Sequence, residues 1–370
     1  MPSRPRSSRE ELANTRHLLR AWKGISKRNA RSHGLDQVTI EDFRDNLHQH
    51  LDEISRQLKS GSYKFTAARG WLAPKPQSEQ KRPIKIPAVR DRVVLKAIAL
   101  LIENNLDKFN LSCSFGYIKN KGVKDAIARV RTLANEGNKV VLEADIHKFF
   151  DEVDRNILFP EFVRAVRRPS LNLLIHDALV MEVGNLDAFS DEEKELFPAA
   201  DSGIPQGGVL SPMLANFYLY PFDKAMMDAG FNLVRYADDF VVMCKTQQEA
   251  EAAYTLSKHI LETRLHLRLH GLGEQDSKTN ILQFDKGLKF LGVLFDRGQI
   301  APSQTVINKF KQRIHSIVDP AQSKSLLETL ASLRNTVVGW GQCYRGFDLH
   351  PTFRTKLSMI SAKLIGPLFL

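Results

Sequence analysis

Asp238 and Asp239 stand side by side in Tyr236-Ala237-Asp238-Asp239, between the apolar runs 231–235 and 240–244. The chain holds 23 aspartates in 370 residues, so chance alone supplies about one adjacent pair, and only the setting gives this one meaning. The setting predicts a β-hairpin with its acids at the turn. Carboxylates at a sheet edge lose solvation and repel each other unless a cation neutralises them. A third acid, Asp145, follows another apolar strand, 139–144. Two strands that bring carboxylates to neighbouring ends supply what Mg²⁺ prefers, a few carboxylates completed by substrate phosphate oxygens. Two such ions about 4 Å apart activate an attacking hydroxyl and stabilise a leaving oxygen. The competing reading is a set of solvated turn acids.

A second segment, Gly203-Ile204-Pro205-Gln206-Gly207-Gly208-Val209-Leu210-Ser211-Pro212, sets three glycines and two prolines ahead of a helix. Its backbone can approach a flat ligand closely, and Gln206 offers an amide to a sugar or base. An ordinary loop leading into a helix reads the same way.

The elements that must hold these groups follow from periodicity. Leu47, Leu51, Ile54 and Leu58 recur at helical steps, and Gly61 ends that helix. Short strands are predicted at 72–73 and 84–86 around a turn at 77–81, and helices at 92–105, 123–134, 209–229 and 250–265. Phe149 and Phe150 open the segment after Asp145. Residues 184–203 read as an inserted excursion, with Ser190 and Glu193 spaced as a capping box. A strand is predicted at 290–295 before a turn at Gly298, and a mostly helical tail from 303 onward.

Composition is that of a globular chain: 43% hydrophobic and 26% charged, enough apolar material for a core and no sign of a disordered or collagenous chain. Net charge is +11. Residues 1–32 carry nine Lys/Arg and two Glu, residues 303–370 nine Lys/Arg and three acids, so the ends net +13 and the middle −2. A near-neutral centre between basic ends suits a nucleic-acid enzyme. The first 32 residues read as a basic helix or a partly ordered arm. The three cysteines, Cys113, Cys244 and Cys343, are too scattered for a disulfide framework or a zinc pair and read as small buried apolar residues. No apolar window is long enough to cross a membrane, and no signal region opens the chain, so a cytoplasmic protein without a membrane partner is expected.

Together these motifs resemble the palm of reverse transcriptases. Ala144-Asp145-Ile146-His147-Lys148-Phe149-Phe150-Asp151, the 203–212 loop and Tyr236-Ala237-Asp238-Asp239 occur in that family's order. Lys75, Lys81-Arg82-Pro83-Ile84-Lys85-Ile86-Pro87 and Asp91-Arg92-Val93-Val94 are similar to the fingers motif of group II intron-type enzymes. Ser114-Phe115-Gly116-Tyr117 with Asp125-Ala126-Ile127 resembles the next fingers motif. Lys278-Thr279 and Phe290-Leu291-Gly292 resemble the last palm motifs, and Gly339-Trp340 with Tyr344 the thumb of intron maturases. Gly34-Leu35-Asp36-Gln37-Val38-Thr39 is similar to that group's N-terminal extension.

The resemblance implies an α+β right-hand polymerase fold with fingers, an antiparallel palm sheet and a helical thumb. The implied divisions are a basic arm (1–32), extension and fingers (33–138), palm (139–302, with the insertion near 184–202) and thumb (303–370). It implies RNA-templated DNA synthesis with two Mg²⁺ (Mn²⁺ possible) held by Asp145, Asp238, Asp239 and the Ile146 carbonyl. It places Phe150 as the steric gate against a 2′-OH, Gln206 at the incoming nucleotide, and Lys75 and Arg82 on the triphosphate. Lys278 would protonate the leaving pyrophosphate, while Tyr236, Gly207 and Trp340 would support primer and template. The expected partners are dNTPs, a structured RNA template and the DNA product, with Arg4, Arg6, Arg9, Arg16 and Arg20 as RNA contacts of the arm. Neither paired cysteines nor a long segment follows Tyr344, so the endonuclease and DNA-targeting parts of mobile introns are not expected. Ser211-Pro212 departs from diversity-generating retroelements, and Lys119-Asn120-Lys121-Gly122 from the usual intron-enzyme run. The expectation is therefore a stand-alone bacterial enzyme, most similar to the defence-associated "unknown group" and acting with a cognate non-coding RNA. A truncated intron maturase and a catalytically idle RNA-binding scaffold are the alternatives.

Overall fold

The computed structural model describes residues 7–27, 29–74, 81–198, 202–274, 277, 279–296, 299–319 and 325–344. Lys75, Lys278, Arg4, Arg6 and the 77–81 turn apart from Lys81 lie outside the described residues.

The architecture is α+β, and every pairing between its strands is antiparallel. A two-stranded hairpin joins β1 (Arg69–Pro74) to β2 (Lys81–Ile86). A four-stranded sheet runs in the order β4 (Asn232–Tyr236), β5 (Asp239–Cys244), β3 (Val140–Asp145), β6 (Asn280–Gln283). A three-stranded meander follows: β7 (Lys286–Phe290), β8 (Val293–Asp296) and β9 (Gln299–Pro302).

Side chains alternate across the four-stranded sheet, and both faces are covered. Leu142, Ala144, Leu233, Phe240 and Val242 join the main helical core on one face. Val141, Val234, Val241 and Met243 meet the helix Val123–Asn135 and the meander on the other. This double burial explains why the sheet's sequence reads as apolar runs rather than as strict alternation.

The predicted helix ended by Gly61 is Leu47–Ser60, and Gly61 closes it with φ +77°. The Ser190–Glu193 capping box forms at the short helix Asp191–Lys194. The predicted strand 290–295 is strand at Phe290 and from Val293 to Phe295 but is broken by a hairpin bend: Leu291 (φ +49°) and Gly292 (φ +83°) reverse the chain between β7 and β8. Positive φ at both central residues is what a tight hairpin turn needs, and only Gly292 announces it in the sequence.

Residues Ser8–Leu12 and Thr15–Lys23 are helices that bury Leu12, Leu18, Ala21 and Trp22 in the main core, so this basic segment is seated on the body. The described residues of the tail form two helices, Gln304–Val318 and Leu326–Tyr344, around a small core of Phe310, Ile314, Ile317 and Leu333. Cys113 and Cys244 are buried as expected, whereas Cys343 is exposed on the last described helix. Among the described residues no helix is long and apolar enough to cross a membrane.

Candidate active site

The register of the central sheet brings two of the three predicted carboxylates face to face. Asp145 ends β3 directly opposite Asp239, which begins β5. Cα atoms so paired lie about 5 Å apart. Asp238 belongs to the two-residue turn between β4 and β5, because Tyr236 pairs with Asp239. Asp145 is buried, Asp238 half-buried and Asp239 exposed, so the acids grade outward from the sheet end. Ala237, the first turn residue, has φ +60°, the sign that the first position of a II′ hairpin turn requires and that glycine normally supplies.

Glu143 is a fourth acid that sequence reasoning missed. It sits two residues before Asp145, hence on the same face of β3. Burial, then the charge of Asp239, push its carboxyl up to about 7, with Lys289 acting against them and Asp145 adding to them. The signal was present in the alternation: an acid inside an otherwise apolar strand.

Among the described residues no group of three or more His, Cys, Asp or Glu side chains is gathered to hold a metal ion. The donor set still suits Mg²⁺, which takes one or two carboxylates and completes its shell with water and substrate phosphate. The negative charges of Asp239 and Asp145, which add to burial in raising Glu143, are what a cation would relieve. Ile146 is buried, bridged to Leu269, and the next amide, of His147, donates to the Arg268 carbonyl at 2.9 Å.

Beside the acids, the Phe149–Glu152 turn and the 203–208 loop are tied together through the backbone. The Ile204 amide donates to the Phe150 carbonyl at 2.7 Å, and a Cβ on Gly203 (φ +69°) would lie 2.7 Å from the same oxygen. Glycine is therefore required at 203 by both φ and space. Gln206 donates its amide to Asp151 at 2.9 Å. Burial raises the Asp151 carboxyl, and this hydrogen bond works the other way. Arg155 donates to the Gly203 carbonyl at 2.6 Å, and Ser211 to the Pro205 carbonyl at 2.5 Å. Asp151 and Arg155 escaped sequence reasoning because their partners lie about fifty positions away in the chain. Phe150 is half-buried, edge-on to Phe149 at 5.3 Å between ring centres.

The hairpin β1–β2 leans on this loop: a Cβ at Gly207 (φ +82°) would lie 3.3 Å from Ile84. Arg82 is exposed on β2, opposite Ala73. The 182–197 segment braces the hairpin from the other side. Gly70 donates to the Asn185 side chain at 2.6 Å, and Lys81 pairs with Glu193 at 2.6 Å. Trp340 stacks on Phe310 at 4.5 Å within the helical pair of the tail. Arg9, Arg16 and Arg20 are exposed on the two N-terminal helices.

The sequence profile described as "Reverse transcriptase (RNA-dependent DNA polymerase)" matches residues 73–295. Protein YkfC of Escherichia coli (strain K12) is 30% identical over 308 residues, covering 72% of this chain and 77% of that one. The group II intron-encoded protein LtrA of Lactococcus lactis subsp. cremoris is 27% identical over 221 residues, covering 57% of this chain and 35% of that one. Among solved structures, apo telomerase from Candida tropicalis aligns with a TM-score of 0.49 at 12% identity, over 88% of this chain and 67% of that one. With a profile that spans more than half of its length and a relative 30% identical that matches over more than two thirds of both chains, the chain belongs to the reverse transcriptase family of RNA-dependent DNA polymerases.

Proposed function

We propose that this chain extends a DNA strand on an RNA template by two-metal nucleotidyl transfer, with Asp145, Asp238, Asp239 and the Ile146 carbonyl holding two Mg²⁺, or Mn²⁺ in their place. The observation that carries the reading is the opposition of Asp145 and Asp239 beside the Asp238 turn, at the end of a sheet packed between two apolar cores. When bound, such ions activate the primer 3′-hydroxyl and neutralise charge on the triphosphate. The chain's own residues orient the reactants. Phe150 fills the space under the sugar, so a 2′-OH is excluded. Gln206, held by Asp151, meets the incoming dNTP, and Arg82 with Lys75 grips its phosphates, a role suited to the planar guanidinium. Tyr236 and Gly207 border primer and template, Trp340 braces the thumb, and Lys278 gives a proton to the departing pyrophosphate. Fingers, palm and thumb then correspond to 33–138, 139–302 and 303–370, preceded by the basic segment 1–32.

The finer biological reading is a cognate non-coding RNA as template and a role in antiphage defence, in the cytoplasm. The basic ends support a structured RNA partner. The likeness to LtrA favours a second reading, assistance to intron splicing. Sequencing the RNA that copurifies with the protein separates them: flanking intron RNA supports splicing, a separate non-coding RNA the first reading.

Asp238→Asn tests the chemistry. It removes one anionic ligand, and several kcal/mol of charge stabilisation correspond to about a thousandfold in rate. Primer extension should vanish while circular dichroism and RNA binding stay unchanged. Extension near the wild-type rate would refute the metal assignment.

A further inference from the structure

We propose that Arg235, locked by Asp223 and Asn216, is a positioning residue for Asp238: its guanidinium fixes the Ala237 carbonyl and thereby sets the direction in which the acidic turn leaves the sheet. This rests on the reading of Asp238 as a metal ligand.

Arg235 is fully buried, as is Asp223. Its Nε and Nη2 donate to the two Asp223 carboxylate oxygens at 2.6 and 2.5 Å. Its Nη1 donates to the Ala237 carbonyl at 2.8 Å and to Asn216 Oδ1 at 3.1 Å. Asn216 in turn donates to the Gly116 carbonyl at 2.8 Å. The backbone is held as well: Arg235 donates to the Cys113 carbonyl at 2.8 Å and accepts from the Phe115 amide at 2.9 Å. A Cβ on Gly116 would lie 2.5 Å from the Ala237 nitrogen, so the 113–116 segment is pressed directly against the turn. Asp223 and Asn216 both lie on the helix Ser211–Asp228, which makes that helix the frame to which the turn is bolted.

Two features call for such a brace. Ala237 holds φ +60° without being glycine, a conformation that relaxes unless its surroundings over-determine it. The neighbouring inward side chains of the hairpin, Leu233, Phe240 and Val242, are apolar and join the main core, so an apolar residue at 235 would continue that face. A buried ion pair gains little or nothing over well-packed apolar residues. Stability therefore does not account for the arginine, whereas its contact with the Ala237 carbonyl does. Burial works against the Arg235 charge, and the Asp223 carboxylate more than restores it.

The test uses the full chain, an annealed poly(rA)–oligo(dT) primer–template and dTTP. The double variant Arg235→Met with Asp223→Leu removes both charges and keeps the volume apolar, so it should unfold within a few degrees of wild type. Its kcat should fall between about tenfold and a hundredfold, the effect of displacing a reactive group by about an ångström. KM for the primer–template should stay unchanged, and half-maximal rate should need more Mg²⁺. Mn²⁺ binding to the protein–primer–template complex, followed by electron paramagnetic resonance, should weaken in parallel without any turnover. Arg235→Lys, which keeps a charge for Asp223 but lacks the planar fork, should show the same loss in kcat. Wild-type kcat and Mg²⁺ dependence in whichever variant folds would overturn the proposal. Loss of fold in both variants would overturn it too, because the pair would then serve the fold itself. Wild-type protein and Asp238→Asn are assayed alongside. Absent extension by the first, or normal extension by the second, overturns the polymerase reading and this proposal with it, whereas failure confined to the Arg235 variants overturns the proposal alone.

Discussion

Glu143→Gln should stabilise the protein at about pH 8 and leave it nearly unchanged at about pH 4.5, because the Glu143 carboxyl is half-buried and feels the charges of Asp239 and Asp145. Its ordinary value is 4.5, and burial with the neighbouring charges carries it to about 7. An acid whose value is raised by folding destabilises the native state when it ionises. The contribution of its protonated form is complete below 4.5 and is lost as the pH rises through about 7. The rise from 4.5 to about 7 corresponds in full to about 3.4 kcal/mol. Glu143 is only half-buried, and solvent screening brings the expected gain down to about 1–2 kcal/mol. In a chain of 370 residues that raises the midpoint of thermal unfolding by about 1–3 °C. The assay is paired calorimetry of wild type and variant across that pH range, with chelator present so that no divalent cation occupies the acids. A difference that is independent of pH, or a variant less stable than wild type at about pH 8, would refute the reasoning, because folding would then not raise the Glu143 carboxyl through burial and its acidic neighbours.

Two further outcomes test the nucleotide and the RNA. Phe150→Ala should admit rNTPs while sparing the backbone link to Ile204, which uses the residue's carbonyl; an unchanged ratio of kcat/KM for dNTP over rNTP would mean that the ring is only packing. Replacing the exposed Arg9, Arg16 and Arg20 by glutamine should weaken binding of structured RNA and flatten the plot of log affinity against log salt by about 2, since each lost phosphate contact removes about 0.7–0.9 from the slope. Equal slopes would show that these arginines do not touch RNA. Deleting residues 1–32 is the poorer experiment, because it strips Leu12, Leu18 and Trp22 from the main core.

Local signals carried the sequence reading as far as it went. Gly61 ends its helix and Ser190 caps another because such effects act within one helical turn. The β4–β5 hairpin with Asp238 at its turn was legible because two apolar runs flank four residues, and strand formation needs little else to be recognised. The order of the motifs, and with it the family, was likewise present in the sequence alone. The bend at Leu291 was not legible, since leucine disfavours positive φ and adopts it here between two paired strands.

Tertiary structure decided which side chains meet. Nothing local tells that Arg235 points inward to Asp223 rather than outward to water, because that depends on the helix Ser211–Asp228 lying beneath the hairpin. The partnership of Gln206 with Asp151 spans two separate loops and has no periodicity to betray it. Above all, the opposition of Asp145 and Asp239 is a matter of register. A slip of one residue between β3 and β5 would turn every side chain of one strand to the other face. The two apolar cores on either side of the sheet forbid that slip. The sequence determined that these acids exist and end their strands; the packing of both sheet faces determined that they confront each other.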